Sequence, residues 1–315
     1  MAQIGTDIHA AVNCLNEGNL IGIPTETVYG LAANALNPKA VASIFSAKNR
    51  PHFDPLIVHM GSAMQMDEFA SDIPDYARKL AKAFWPGPIT LILRKKSIIP
   101  DIVTSGADTV GLRVPDQTLT LELLQNLKFP LAAPSANPFG YVSPTSAQHV
   151  NAQLGNSVCY ILDGGQCKVG IESTIIDCTG ETAILLRLGG LSVESIESIT
   201  GKIEINISSH SNPKAPGQLD SHYSPHCKLE IGIPEKIVMD NQPAALVLFS
   251  KQRTDYPINH QFILCAEGIA EEAAVNLFST LRKLDELGYK KAFAELLPEE
   301  GLGRAVNDRL KRAAF

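Results

Sequence analysis

The chemistry legible in this chain begins with hydroxyls and cations at the ends of apolar runs. Pro24 to Gly30 leaves a short buried run and sets Thr25, Glu26 and Thr27 at its exit, the place where open α/β sheets line ligand crevices. Taken singly, the segment also reads as a turn whose threonine hydroxyls bond local backbone. Lys48 and Arg50 follow at a helix-to-loop junction closed by Pro51. A planar guanidinium fork and a mobile ammonium suit a phosphate chain, although cations at a helix end also complement its dipole. Asp54 and His59 complete that stretch, and a lone strand histidine is more often structural than a ligand.

A second polar cluster lies further on. Ala132 to Asn137 carries an apolar strand into Ser-Ala-Asn, and the following Gly140 to Ala147 offers capping hydroxyls that open a helix. Gly170-Ile-Glu172-Ser173-Thr174 opens another strand and Arg187 ends the next. Together these features describe a neutral-polar, locally basic crevice with no evident nucleophile. The standard signatures point nowhere else: G-x-x-x-x-G-K-[ST] and G-x-S-x-G are missing, and Gly301-Leu-Gly303 opens the last helix rather than a first βα turn. His222, His226 and Cys227 are zinc-ligand types, but Pro225 interrupts any helix that would align them and no fourth ligand is near.

The elements that must hold these residues read as α/β. Helices are expected at Thr6–Glu17 with Thr6 as cap, from Asn37-Pro38 to Arg50, near Pro74–Phe84 and at Thr118–Asn126. Strands are expected at Leu20–Ile23, Leu56–His59, Ile89–Leu93, Val110–Val114, Cys159–Leu162, Thr174–Asp177 and Ala183–Leu188, giving one sheet of about six or seven strands. Trp85-Pro86-Gly87-Pro88 reads as a helix stop with a core indole. After Gly189-Gly190 the pattern loosens into residues 201–227, rich in Ser, Asn, Pro and Gly, which read as an inter-domain linker. A second α/β unit then spans 228–315, with strands Ala244–Phe249, Phe262–Cys265 and Lys291–Leu296, a long helix Ile269–Leu287 stopped by Gly288, and a final helix from Arg304.

Composition bounds the function. The chain has 315 residues with 45% hydrophobic and 19% charged, enough for a folded core, and a net charge of −6. That charge leaves no global basic field for nucleic acid or an anionic membrane, so strong direct tRNA binding is not expected. The six cysteines (14, 159, 167, 178, 227, 265) form no C-x-x-C pair and read as small hydrophobes in a reducing compartment. With neither a signal-like N-terminus nor an apolar run of membrane-spanning length, a cytoplasmic protein without membrane contact is expected.

These segments resemble, in order, the YrdC-like threonylcarbamoyl-AMP synthases in their two-domain form. The likeness covers essentially the whole chain: PTETVYGLAANA, the K-x-R of Lys48 to Arg50, NRPHFDPLIVHM, FWPGPITLIL, VGLRVP, PSANPFG, GIESTIID, LRLGG and a linker like APG…HYSP. The resemblance implies a YrdC-like catalytic domain (residues 1–200) with a twisted, mixed open sheet and a concave site. A linker over 201–227 that folds over the site as a lid would follow, then a small Rossmann-like C-terminal domain. It implies a nucleotidyltransferase that makes L-threonylcarbamoyladenylate and pyrophosphate from L-threonine, bicarbonate or carbon dioxide, and ATP, for threonylcarbamoyl modification of the tRNA adenosine beside the anticodon. A tRNA threonylcarbamoyl transferase would receive the product.

By the same resemblance, Thr27, His59, Arg113, Ser135 and Ser173 hold L-threonine. Lys48, Arg50, Asp54, Thr109, Asn137, Ser143, Thr145, Arg187 and Tyr223 hold ATP, with Lys48 and Arg50 stabilising charge and Mg²⁺ riding on the phosphates rather than in a protein cage. The linker departs from the family's more basic run, with Gln218, Leu219, Asp220 and Ser221 before His222 and Tyr223. Two alternatives use the same fold: an RNA or tRNA-binding module, which the net charge disfavours, and carbamoyl transfer as in hydrogenase-maturation relatives, whose extra acylphosphatase-like and zinc-finger segments this sequence lacks.

Overall fold

The computed structural model describes residues 1–51, 53–207, 222–237 and 243–315. Most of the predicted linker, including the segment Ala215 to Ser221, lies outside the described residues.

Two sheets organise the chain. The larger has twelve strands rather than six or seven. Its order is Gln3–Gly5, Tyr160–Leu162, Ile21–Ile23, Gly30–Asn34, Leu131–Ala132, Ile57–His59, Thr109–Arg113, Ile89–Lys95, Thr174–Asp177, Ile184–Arg187 and Glu204–Ile205, with Ala70–Ser71 beside Ile89–Lys95. Parallel and antiparallel pairs mix. The extra strands are two to five residues long, too short to show alternation in sequence. The smaller sheet is wholly parallel, in the order Lys228–Ile231, Lys291–Ala294, Ala245–Leu248, Gln261–Ile263. Parallel strands need crossovers, and the helix Ala270–Glu286 supplies one between Gln261–Ile263 and Lys291–Ala294.

Local chemistry sets the helix ends that matter for the site. Asn37 caps Pro38–Lys48 by accepting from Lys39 and Ala40 amides at 3.0 and 3.3 Å, with proline at the first position. The helix stops where Asn49 turns left-handed at φ 51°, so Lys48 and Arg50 leave on different sides of the junction. At the first helix, Ile8–Asn16, the cap is Asp7 rather than Thr6; its Oδ1 accepts from His9 and Ala10. The loosened stretch after Gly190 holds a further helix, Val193–Thr200.

One apolar cluster runs from Leu20, just before the strand Ile21–Ile23, to Ala313 in the last helix, so both sheets share a continuous core. Trp85 is buried, its indole N–H donating to the Ile89 carbonyl at 2.9 Å. Gly170, at φ +77°, lets this loop approach the helix Ala270–Glu286: a Cβ there would lie 2.4 Å from the Val275 Cα. The cysteine expectation is corrected. Cys14 and Cys159 form a disulfide across 145 residues, because the first helix packs against the segment entering Tyr160–Leu162, a proximity invisible in the spacing. The thiols therefore do not argue for a reducing compartment. No helix among the described residues is long and apolar enough to cross a membrane.

Candidate functional site

Two neighbouring parallel strands bring the first expected site residues together. Ile57–His59 and Thr109–Arg113 pair so that His59 lies opposite Arg113 at their C-terminal ends. Partners in register share a face, and both side chains line one hollow. The loop after Ile21–Ile23 adds Thr25 and Thr27, whose hydroxyls lie 2.8 Å apart. This loop is tied to the Ser-Ala-Asn segment by Ala136 N–H donating to the Tyr29 carbonyl at 2.8 Å and Leu31 N–H to Pro134 at 2.8 Å, which sets Ser135 in the wall. Gly30 makes that approach possible, since a Cβ would meet Ala133 at 3.2 Å.

The opposite wall comes from the antiparallel pair Thr174–Asp177 and Ile184–Arg187. Arg187 Nε and Nη2 donate to the Ser173 carbonyl at 3.0 and 2.8 Å, and Nη2 reaches Ser173 Oγ at 3.0 Å. Ser173 Oγ also lies 2.8 Å from Thr90 Oγ1. Arg113 Nη2 donates to Glu26 Oε1 at 2.7 Å and to Thr27 Oγ1 at 2.9 Å. Arg50 forms an ion pair with Asp54 at 2.9 Å and donates to the carbonyls of Asp54 and Pro55. Three guanidiniums (Arg50, Arg113, Arg187) therefore face one hollow whose lining carboxylate is Glu172.

Burial governs the protonation states. It pushes the His59 imidazole down to about 3, with Arg113 reinforcing it, and His222 likewise to about 3, so both are neutral at physiological pH. Burial lowers Arg187 to about 10, which leaves it cationic. Among the described residues, His59 Nδ1, His222 Nδ1 and Arg113 Nε are buried with no hydrogen-bond partner. Buried polar atoms are normally satisfied, and these three lie around one hollow.

Two family-model matches cover the chain. Residues 13–189 match the model described as "Telomere recombination", and residues 191–315 match "Threonylcarbamoyl-AMP synthase, C-terminal domain". The chain belongs to the threonylcarbamoyl-AMP synthase family. It is 41% identical to the threonylcarbamoyl-AMP synthase of Pyrococcus abyssi, over 98% of this chain and 94% of that one. It is 38% identical to that of Bacillus subtilis, over 98% and 92%. The crystal structure of P. abyssi Sua5 complexed with L-threonine superimposes with a TM-score of 0.90 at 37% identity, covering 100% of this chain and 97% of that one.

Within this synthase-family fold, eight of the expected residues line the hollow: Thr27, Arg50, His59, Arg113, Ser135, Ser173, Arg187 and Tyr223. Thr109 lines a second, larger hollow instead, which shares Ile57 with the first. The others stand behind the walls. Lys48 is 1% exposed, and its Nζ donates to the carbonyls of Ser135 and Asn137; burial, with Arg50 beside it, pulls it well below the usual lysine range. Asp54 is fully buried behind Arg50, and burial raises its carboxyl above the usual range. Asn137 donates to the carbonyls of Pro138 and Tyr141. Ser143 Oγ donates to Glu172 Oε1 at 2.7 Å. Thr145 Oγ1 accepts from Gln166 at 3.0 Å, within a local cap that includes His149.

Sequence reasoning put Thr25 and Glu172 in the crevice segments without giving either a binding role, and placed His222 only among metal-ligand types. His222 and Tyr223 enter from the far end of the linker, adjoining both halves: His222 N–H donates to the Arg312 carbonyl at 3.3 Å and Ser224 N–H to Gly140 at 2.9 Å. The HYSP segment was the available signal for them. Among the described residues no group of three or more His, Cys, Asp or Glu gathers as a metal cluster.

Proposed function

We propose that this chain synthesises L-threonylcarbamoyladenylate from L-threonine, bicarbonate or carbon dioxide, and ATP. The observation that carries the reading is the unpartnered Arg113 Nε beside neutral His59 in a hollow walled by the hydroxyls of Thr27, Ser135 and Ser173. A guanidinium edge takes a carboxylate, and the small hydroxyls suit a hydroxylated side chain and an amine. Likeness to the P. abyssi structure complexed with L-threonine supports L-threonine as the amino-acid substrate.

ATP then lies with its phosphates toward Arg50 and Arg187 and its base over the apolar floor around Ile57 and Ile92, towards Thr109. Tyr223 flanks it from the linker side, and Ser143 stands behind the wall on Glu172. Mg²⁺ enters as part of the MgATP substrate, because Glu172, the carboxylate of the hollow, is engaged by Ser143 and Arg309. The threonine amine attacks the carbon of carbon dioxide and gives up a proton, or that of bicarbonate with loss of water, to form the carbamate. A carbamate oxygen then attacks the α-phosphorus in line, and the bond to the β-phosphate breaks to release pyrophosphate. No protein nucleophile is required; the chain positions reactants and offsets charge. Lys48 acts in this scheme from behind, by fixing the Ser135 and Asn137 carbonyls.

The product would pass to a tRNA threonylcarbamoyl transferase for modification of the adenosine beside the anticodon, a fate that fits a cytoplasmic location. Residues 1–200 would carry the chemistry, 201–227 the closing segment and 228–315 its support. The test is incubation with MgATP, labelled bicarbonate and single amino acids. Label must enter an AMP adduct with L-threonine, with matching pyrophosphate; tight tRNA binding at physiological salt with no adduct would favour the RNA-binding alternative.

A further inference from the structure

Arg309 lies on the last helix, Gly303–Ala313, and is 0% exposed although it comes from outside the large sheet. A guanidinium that leaves water must find partners for its donors. Here Nε donates to Glu172 Oε2 at 2.9 Å, Nη2 to the Leu188 carbonyl at 2.8 Å and Nη1 to Asp308 Oδ2 at 2.7 Å. The first two acceptors belong to the segments that open Thr174–Asp177 and follow Ile184–Arg187, the wall holding Ser173 and Arg187.

The same guanidinium sits 5.1 Å from the centroid of the Tyr223 ring. Tyr223 has φ +64°, a left-handed conformation that is unfavourable for a bulky residue and persists only where surroundings enforce it. Those surroundings come from the C-terminal unit: Arg309 on one contact, and Phe278 stacked at 5.3 Å with an interplanar angle of 26° on another. Glu172 extends the chain of contacts to Ser143 through its other oxygen at 2.7 Å. Arg282, from the helix Ala270–Glu286, holds the carbonyls of Val142 and Ser143.

We infer that Arg309 is a positioning residue for the nucleotide side of the site: it anchors Glu172, and through it Ser143, and it seats Tyr223 against the hollow. The role rests on the synthase reading and assigns work to the C-terminal unit within it.

Affinities for ATP and for L-threonine are read by direct titration, independently of turnover. In Arg309→Met the ATP Kd is expected to rise about tenfold or more, as Glu172 is left buried without its cation, while the L-threonine Kd stays within about threefold. The double variant Arg309→Met/Glu172→Gln, which removes both charges and keeps an acceptor for Ser143, is expected to recover part of the lost ATP affinity, since the uncompensated buried charge is gone while Tyr223 still lacks its guanidinium neighbour. Should Arg309→Met fail to fold, Arg309→Lys, which keeps charge and loses the fork, is read for the same split. An unchanged ATP Kd with a lowered Tm overturns the inference, and so does a parallel loss of both affinities without recovery in the double variant. A parent protein that binds both ligands but forms no adenylate would overturn the synthase reading instead, leaving the Arg309 result to stand on ATP affinity.

Discussion

Two buried imidazoles make this fold sensitive to mild acid. His59 and His222 are each held neutral to about 3 by burial, against an ordinary 6.5. Between those values the unfolded chain binds the proton that the folded chain refuses, so stability is complete above about pH 6.5 and falls by about 1.4 kcal/mol per pH unit for each histidine as pH drops. From about pH 7.5 to about pH 5 the loss is roughly 2 kcal/mol for each, or about 4 kcal/mol together, a large share of a typical 5–15 kcal/mol. His149, lowered to about 4 by burial, acts in the same direction. Asp54, raised by burial, acts oppositely, because its folded form takes a proton first as pH falls. Single variants isolate the term: by urea unfolding, the stability advantage of the parent over His59→Asn should shrink by about 2 kcal/mol across that range, and His222→Asn should behave alike. An advantage that stays constant with pH in both variants would refute neutral burial of these rings.

Other outcomes follow from the walls of the hollow. Arg113→Lys keeps the charge but cannot both hold Glu26 and Thr27, as Nη2 does, and present the free Nε edge, so the KM for L-threonine should rise roughly 30- to 100-fold with a much smaller change for ATP; equal changes would misplace the carboxylate. Lys48→Met leaves the Ser135 and Asn137 carbonyls without their shared donor, and thermal unfolding should show a loss of about 1–3 kcal/mol together with weaker binding of both substrates. A normal Tm with only ATP affected would instead put Lys48 on the phosphates. Thiol titration of the unreduced, unfolded chain should count four thiols, Cys167, Cys178, Cys227 and Cys265, since Cys14 and Cys159 are joined; six would remove the bridge.

What could be seen in sequence was whatever repeats or is punctuated. The helix Pro38–Lys48, with its Asn37 cap and proline start, and the strand Thr174–Asp177 stand where their patterns put them. The strands Gly30–Asn34 and Leu131–Ala132 carry no such pattern, because every residue of the second and four of the five in the first are buried, which erases alternation. Motif order located the hollow, and eight residues expected there do line it. Motif order could not separate a side chain that faces ligand from one that braces the wall. Lys48 and Arg50 are two residues apart, yet the left-handed turn at Asn49 sends one to the Ser-Ala-Asn carbonyls and keeps the other on the hollow. Arg309 was illegible for a different reason: near the end of a charged helix it looks like a solvated cation, and only tertiary packing brings it to Glu172.

The most direct test of the account is a crystal structure of this chain with L-threonine and a non-hydrolysable ATP analogue. The threonine carboxylate should lie about 3 Å from Arg113 Nε, with its amine turned toward the α-phosphate and its hydroxyl among Thr27, Ser135 and Ser173. Threonine bound elsewhere, or an amine facing away from the nucleotide with Arg113 still held only by Glu26 and Thr27, would contradict it.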